Sequence, residues 1–149
     1  MTDLQQAGDE LLNAWLSLTS TLWNTRVVKT LTYNETHVLG ILLRHAQSEA
    51  LTATDLIRRT RLLKSQMNKL LTTLENRGLI ERSRCEHDKR QIHIRLTQAG
   101  KEAYLLEHRD VETFLNQLIE RIGAERALAV ARELSDINRV LDDIVPLPR

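Results

Sequence analysis

A single cysteine among 149 residues leaves no partner for an intramolecular disulfide. Two prolines and five glycines are too few to punctuate a sandwich or a barrel, and aromatics are just as scarce. These shortages point to a mostly helical chain. No apolar run approaches the roughly 18 residues needed to span a bilayer, so no membrane partner is expected. The N-terminus lacks the basic and apolar stretches of a signal peptide, and a cytoplasmic location is expected. Also missing are a Gly-rich phosphate loop, a nucleophile elbow and an H-E-x-x-H pair. Neither an enzyme nor a cofactor is therefore expected.

Net charge has no dominant sign either, with 21 basic against 20 acidic side chains. Their distribution is uneven, however. Between Thr52 and Arg95 eleven basic residues face five acidic ones, while acids exceed bases by five in the rest of the chain. A basic middle between acidic ends suggests an anionic partner for the middle.

The length suits one domain, residues 1–149. Leu4 to about Lys29 reads as a helix whose apolar stripe (Leu4, Leu11, Leu12, Trp15, Leu16, Leu18, Leu22, Trp23) is wider than one core face requires. Part of it is expected to meet another chain. Asn34 is a fitting N-cap for a second helix carrying Val38, Leu39, Ile41, Leu42 and Leu43. Thr52 and Asp55 form an acidic variant of the capping box and open a short helix with Ala53, Leu56 and Ile57 inward. Met67, Leu70, Leu71 and Leu74 then follow the helical period, and Gly78 ends that helix. Its start is unmarked, since neither Leu62 nor Leu63 caps well.

Next the period changes to two. "LIERSR" and "QIHIRL" read as strands of a hairpin joined by the loop "CEHDKR". Thr97 caps a further helix with Tyr104, His108, Val111, Leu115, Leu118 and Ile122 at heptad spacing. After Gly123, Ala127, Val130, Leu134, Ile137, Leu141 and Ile144 repeat that spacing. Two such helices in antiparallel order predict a helical hairpin with a packed seam.

A short helix, a turn, a longer helix and a hairpin make a winged helix-turn-helix, which reads DNA with its second helix and its wing. The outer face of that helix shows Lys64, Ser65, Gln66, Asn68, Lys69 and Thr72, and no acid occurs between Thr60 and Leu74. Amides can bond an adenine edge bidentately, lysine reaches guanine or phosphate, and hydroxyls hold phosphate. At the wing an Arg two residues after an Asp, Arg90 after Asp88, can be held extended by that carboxylate. A narrowed minor groove attracts such an arginine, with Lys89 and Arg84 adding phosphate contacts.

"LLKSQMNKLLTTLENRGLIERSRCEHDKRQIHIRLTQAG" resembles the DNA-binding core of the MarR (multiple antibiotic resistance regulator) family. The motifs are "LE-x-x-G-L-I-x-R", the "D-K-R" of the wing and "L-T-x-x-G", over roughly residues 52 to 104. The resemblance implies a mainly α fold with a small β-hairpin wing. Residues 34–97 would form the DNA-binding lobe, and residues 1–33 and 98–149 the dimerisation helices of a homodimer. It also implies a transcription factor, most often a repressor, that is released from double-stranded DNA by a small-molecule effector or an oxidant. By position, Arg90 matches the arginine that enters the minor groove and Asp88 the acid that braces it. Lys64, Ser65, Gln66, Asn68 and Lys69 match the base- and phosphate-contacting part of the recognition helix. Asn68 departs from the more usual Ser or Thr, so the preferred operator does not carry over.

The loop "CEHDKR" also places four metal-binding side chains in a row. Adjacent residues in an extended loop diverge, Lys89 and Arg90 oppose a cation, and no second cysteine exists, so no metal is expected. His37 and His45, eight apart, are equally unsuited. Cys85 is expected to be an incidental surface cysteine; the alternative is an oxidant sensor, with Arg84 and Lys89 favouring its thiolate and Glu86 and Asp88 opposing it. A winged helix serving only as a protein-interaction adaptor is the other alternative, and the basic middle speaks against it. Trp15, Trp23, Tyr33 and Phe114 suit core packing as well as an effector pocket, so no effector residue is assigned.

Overall fold

The computed structural model describes residues 2–24, 30–48, 50–85, 88 and 90–145; of residues 22–24 it describes the backbone alone. In chain order the elements are α1 (Asp3–Asn24), α2 (Tyr33–His45), β1 (Leu51–Thr52), α3 (Ala53–Thr60), α4 (Lys64–Asn76), β2 (Ile80–Arg84), β3 (Ile92–Leu96), α5 (Gln98–Ile122) and α6 (Ala124–Ile144). Residues 25–29, where α1 is expected to continue, lie outside the described residues.

The core belongs to the central lobe. Val38, Leu39, Ile41 and Leu42 of α2 meet Leu56 of α3, Met67, Leu71 and Leu74 of α4, and Leu51, Ile80 and Ile94 of the sheet. Leu70, Ala53 and Ile57 are only partly buried against it. The hairpin forms as expected, with Ile80 opposite Leu96 and Arg84 opposite Ile92. A third strand was not legible: β1 has two residues and pairs antiparallel to β3, Leu51 opposite Ile94, giving the order β1-β3-β2. Two residues are too short for any alternation to show.

The cap of α2 differs from expectation. Thr32, not Asn34, is its N-cap. Thr32 Oγ1 accepts the Glu35 N–H at 3.3 Å, and Glu35 Oε2 accepts the Thr32 N–H at 2.7 Å. A reciprocal box satisfies two orphan donors, where Asn34 alone would satisfy one. Thr52 and Asp55 build the same device at α3 as expected, with the Thr52 N–H 2.9 Å from Asp55 Oδ2.

The end of α4 is a Schellman turn. Gly78 takes φ +70, its N–H bonds the Glu75 carbonyl at 2.8 Å, and the Leu79 N–H bonds the Leu74 carbonyl at 2.9 Å. Leu74 and Leu79 are both buried, closing the turn with an apolar contact. On this turn sits the start of α5: the Thr97 hydroxyl donates to the Gly78 carbonyl at 2.7 Å and the Thr97 N–H to the Leu79 carbonyl at 3.1 Å.

The predicted seam between the last two helices does not close within one chain. α6 buries none of its residues, and Val130, Leu134, Ile137 and Leu141 stay exposed, as do Leu115 and Leu118 of α5. On α1, Leu4, Leu11, Leu12, Trp15, Leu16 and Leu18 are exposed as well. The aromatics are not plain core either: Trp15 is 57% and Tyr33 63% exposed, and Phe114 is half-buried. The Trp23 side chain lies outside the described residues. No helix among the described residues is long and apolar enough to cross a membrane.

Candidate nucleic-acid interface

Three residues separate α3 from α4. Arg61 makes the corner in a left-handed conformation (φ 59), and its N–H bonds the Ile57 carbonyl at 2.8 Å. Its guanidinium reaches across the fold to Asp142 near the end of α6 and donates to the Val145 carbonyl at 3.1 Å. The chain therefore returns from α6 to the turn that aims α4.

Leu63 is the N-cap of α4 and has no side-chain acceptor to offer. Gln66 supplies what the sequence seemed to lack: its Oε1 accepts the Leu63 N–H at 3.0 Å. With Met67, Leu71 and Leu74 buried, Lys64, Ser65, Gln66, Asn68, Lys69, Thr72 and Thr73 are all exposed. The predicted residues of this helix thus share its broad exposed side, with no carboxylate in its first turn.

Further along that helix, strand β2 takes hold. Arg82 donates to Thr72 Oγ1 at 3.1 Å, and its Nε lies 3.4 Å from Glu75 Oε2. That approach is an ion pair that misses hydrogen-bond geometry, leaving the buried Nε without a hydrogen bond among the described residues. Arg82 counted only as a cation in the sequence. Its role in joining wing to helix carries no local pattern, because Thr72 lies on another element.

At the C-terminal end of α4, Arg77 donates to Glu35 Oε1 at 3.1 Å and to the Thr30 carbonyl at 3.3 Å. Thr30 in turn donates its N–H to the buried Glu107 of α5 at 2.6 Å, and its hydroxyl bonds the same oxygen. None of these four residues stood out in the sequence. The Thr32–Glu35 spacing alone would have marked Glu35 as a capping acid.

At the wing, the Cys85 N–H donates to the Gln91 carbonyl at 3.0 Å and the Gln91 N–H to the Asp88 carbonyl at 2.9 Å. Asp88 Oδ1 accepts the Arg90 backbone N–H at 3.0 Å. The carboxylate therefore braces the backbone of Arg90, whose side chain is exposed. Arg84 is exposed at the end of β2, and Cys85 is half-buried. Lys89, with Glu86 and His87, lies outside the described residues.

Two titrations are perturbed among the described residues of this lobe: the pKa of the His37 imidazole on α2 is lowered by burial and then by Arg44, and that of Asp55 is lowered at the start of α3. The Asp55 carboxyl is held below its ordinary value of 3.8, chiefly by the Thr52 N–H and then by the Thr52 hydroxyl, with lesser help from Arg58 and Arg59 against the cost of burial.

A sequence model of the MarR family matches residues 29–91, from the approach to α2 as far as the wing loop, just short of β3. The Bacillus subtilis protein YwhA, an uncharacterized HTH-type transcriptional regulator, is 30% identical over 119 residues, spanning 78% of this chain and 82% of its own. The chain belongs to the MarR family. It is a helix-turn-helix transcriptional regulator, and neither its family nor its relatives are enzymes. Among solved structures, the PcaV transcriptional regulator from Streptomyces coelicolor, in complex with its natural ligand, aligns with a TM-score of 0.72 at 25% identity. The alignment covers 95% of this chain and 96% of that one. Streptococcus pneumoniae FabT, in complex with DNA, shares the fold with a TM-score of 0.70 at 21% identity, over 95% and 99% of the two chains. For this MarR-family regulator the winged helix is therefore established on two grounds, its own elements and these likenesses.

Proposed function

We propose that this regulator is a cytoplasmic homodimeric repressor of a pseudo-palindromic operator. α1, α5 and α6 join two copies, and the two α4 helices enter successive major grooves about one helical turn apart. Lys64, Ser65 and Lys69 hold phosphate or guanine, and Gln66 and Asn68 contact base edges. Arg90, braced by Asp88, enters the flanking minor groove, and Arg84 and Lys89 add phosphate contacts. A small-molecule or oxidant signal releases the DNA. The ligand-bound state of PcaV, on the same fold, supports the small-molecule route.

The observation that carries this reading is the helix that buries nothing. An isolated α6 exposing Leu128, Val130, Leu134, Ile137, Leu141 and Ile144 needs a second apolar surface, and α1 of a second copy offers one.

Leu134→Asp combined with Ile137→Asp should yield a monomer by sedimentation and abolish operator shifts. A wild-type protein that sediments as a monomer would refute the dimer. Gel shifts at two salt concentrations address the DNA: binding should weaken steeply with salt, whereas an adaptor would show no sequence-dependent shift.

A further inference from the structure

The two amides of α4 are not equivalent, and the difference bears on the DNA reading proposed above, on which this inference rests. The Gln66 carbonyl oxygen is turned back to the start of its own helix, 3.0 Å from the Leu63 N–H. Only an oxygen can sit there, since the flipped amide would set its NH₂ donors against a donor. Leu63 cannot cap the helix itself, so this bond satisfies one of the orphan donors of that helix end. The outward part of Gln66 is then its NH₂. Asn68, also exposed, makes no side-chain hydrogen bond among the described residues, and both halves of its amide are free.

Bidentate recognition of adenine needs an acceptor for N6–H and a donor for N7 from one amide. Asn68 has both. Gln66, with its cap closed, has one lone pair of its carbonyl oxygen committed to the Leu63 N–H and turns its NH₂ donors outward. A donor reaching the major-groove edge of guanine meets two adjacent acceptors, O6 and N7; at an A·T pair it meets the adenine amino group between N7 and the thymine O4. To read adenine bidentately, Gln66 would have to swing its oxygen away from the helix end it caps, or divide it between the Leu63 N–H and the adenine amino group.

We infer that Gln66 is a cap-locked donor selecting a G·C pair, and that Asn68 is the reader of an A·T pair. Two positions apart, they project roughly 160° from each other around the helix. They flank the Ser65, Lys69 and Thr72 stripe and serve different base pairs of each half-site.

Selection of binding sites from random duplex DNA by the full chain tests this, using wild type, Gln66→Ala, Gln66→Glu and Asn68→Ala. Wild type should enrich a two-fold motif. Gln66→Ala should lose about tenfold discrimination at one position, a G·C pair, and Asn68→Ala should lose it at a different A·T position. Gln66→Glu keeps an acceptor for the Leu63 N–H, so its thermal midpoint should match or exceed wild type, yet it has no donor for guanine and can accept only from cytosine or adenine, so the preferred base at that position should change. A Gln66→Glu protein with the wild-type motif would reduce Gln66 to a cap and overturn the inference. So would an A·T pair at the position freed by Gln66→Ala, with DNA reading intact. A wild-type protein enriching no motif would overturn the DNA reading itself, and this inference with it.

Discussion

Gly100 lies against the backbone of Leu79 so closely that any Cβ there would overlap the Leu79 carbonyl oxygen and stand 2.9 Å from its carbonyl carbon. Leu96 Cδ1 would be 2.8 Å away as well. This contact seats α5 on the Schellman turn of α4, and it explains physically why "L-T-x-x-G" follows the wing. Thr97 bonds the turn, and Gly100, one helical turn on, lets the helix lie against it.

Gly100→Ala should therefore destabilise the lobe by about 1–3 kcal/mol, the usual cost of overpacking where the neighbour is backbone. Gly78→Ala, with open space around it but φ +70, should cost about 1–2 kcal/mol from backbone strain alone. Urea midpoints of the two variants would check both values.

The α3 capping box makes stability depend on acidity in a definite direction. Asp55 titrates below its unfolded value of 3.8, so its contribution is complete above about pH 4. It fades as pH falls through the lower folded value. Asp55→Ala, which removes the titrating acceptor and leaves Thr52 in place, should cost about 1 kcal/mol at neutral pH. Melting curves of wild type and mutant should then converge as the pH is lowered; a constant gap would contradict the assignment.

Arg77 holds Glu35 and Thr30 behind α4. Arg77→Ala should cost about 1–3 kcal/mol, because the nearly buried Glu35 carboxylate loses its cation. Since Arg77 caps α4, operator affinity should fall along with stability. Adding Glu35→Gln should restore part of the stability, a double-mutant cycle that isolates the pair.

On the wing, Arg90→Ala should weaken operator binding, and Asp88→Ala should do so to a lesser degree. Asp88→Asn preserves an acceptor for the Arg90 N–H and removes a negative charge beside DNA, so it should bind at least as tightly as wild type. A loss in Asp88→Asn equal to that in Arg90→Ala would mean that charge, not the 3.0 Å backbone bond, is the brace. Lys69→Ala should weaken all sequences alike and lower the salt slope by about one.

The order of elements was legible because each carries a local signal. Heptad spacing marks α5 and α6, alternation marks β2 and β3, Thr52 and Thr97 cap their helices, and Gly78 takes the left-handed turn. The exposed face of α4 was legible for the same reason, since Met67, Leu71 and Leu74 fix its opposite side. What could not be read depends on residues distant in sequence. Arg61 finds Asp142, Arg82 finds Thr72, and Arg77 finds Glu35 only after the chain folds. The Gln66 bond is local but was hidden by an expectation that caps are N-cap side chains. The heptads of α5 and α6 were seen, yet spacing alone does not say whether a seam closes within a chain or between two.

Arg61 gives the long helices a second grip on the lobe. α5 leaves it beside Leu79, at one end of α4, and α6 comes back to Arg61, just ahead of the other. A rod pinned at one end swivels freely about the pin. α4 is instead held by α5 through Leu79 and by α6 through Arg61, so a tilt of either long helix would bear on the exposed face proposed to meet DNA.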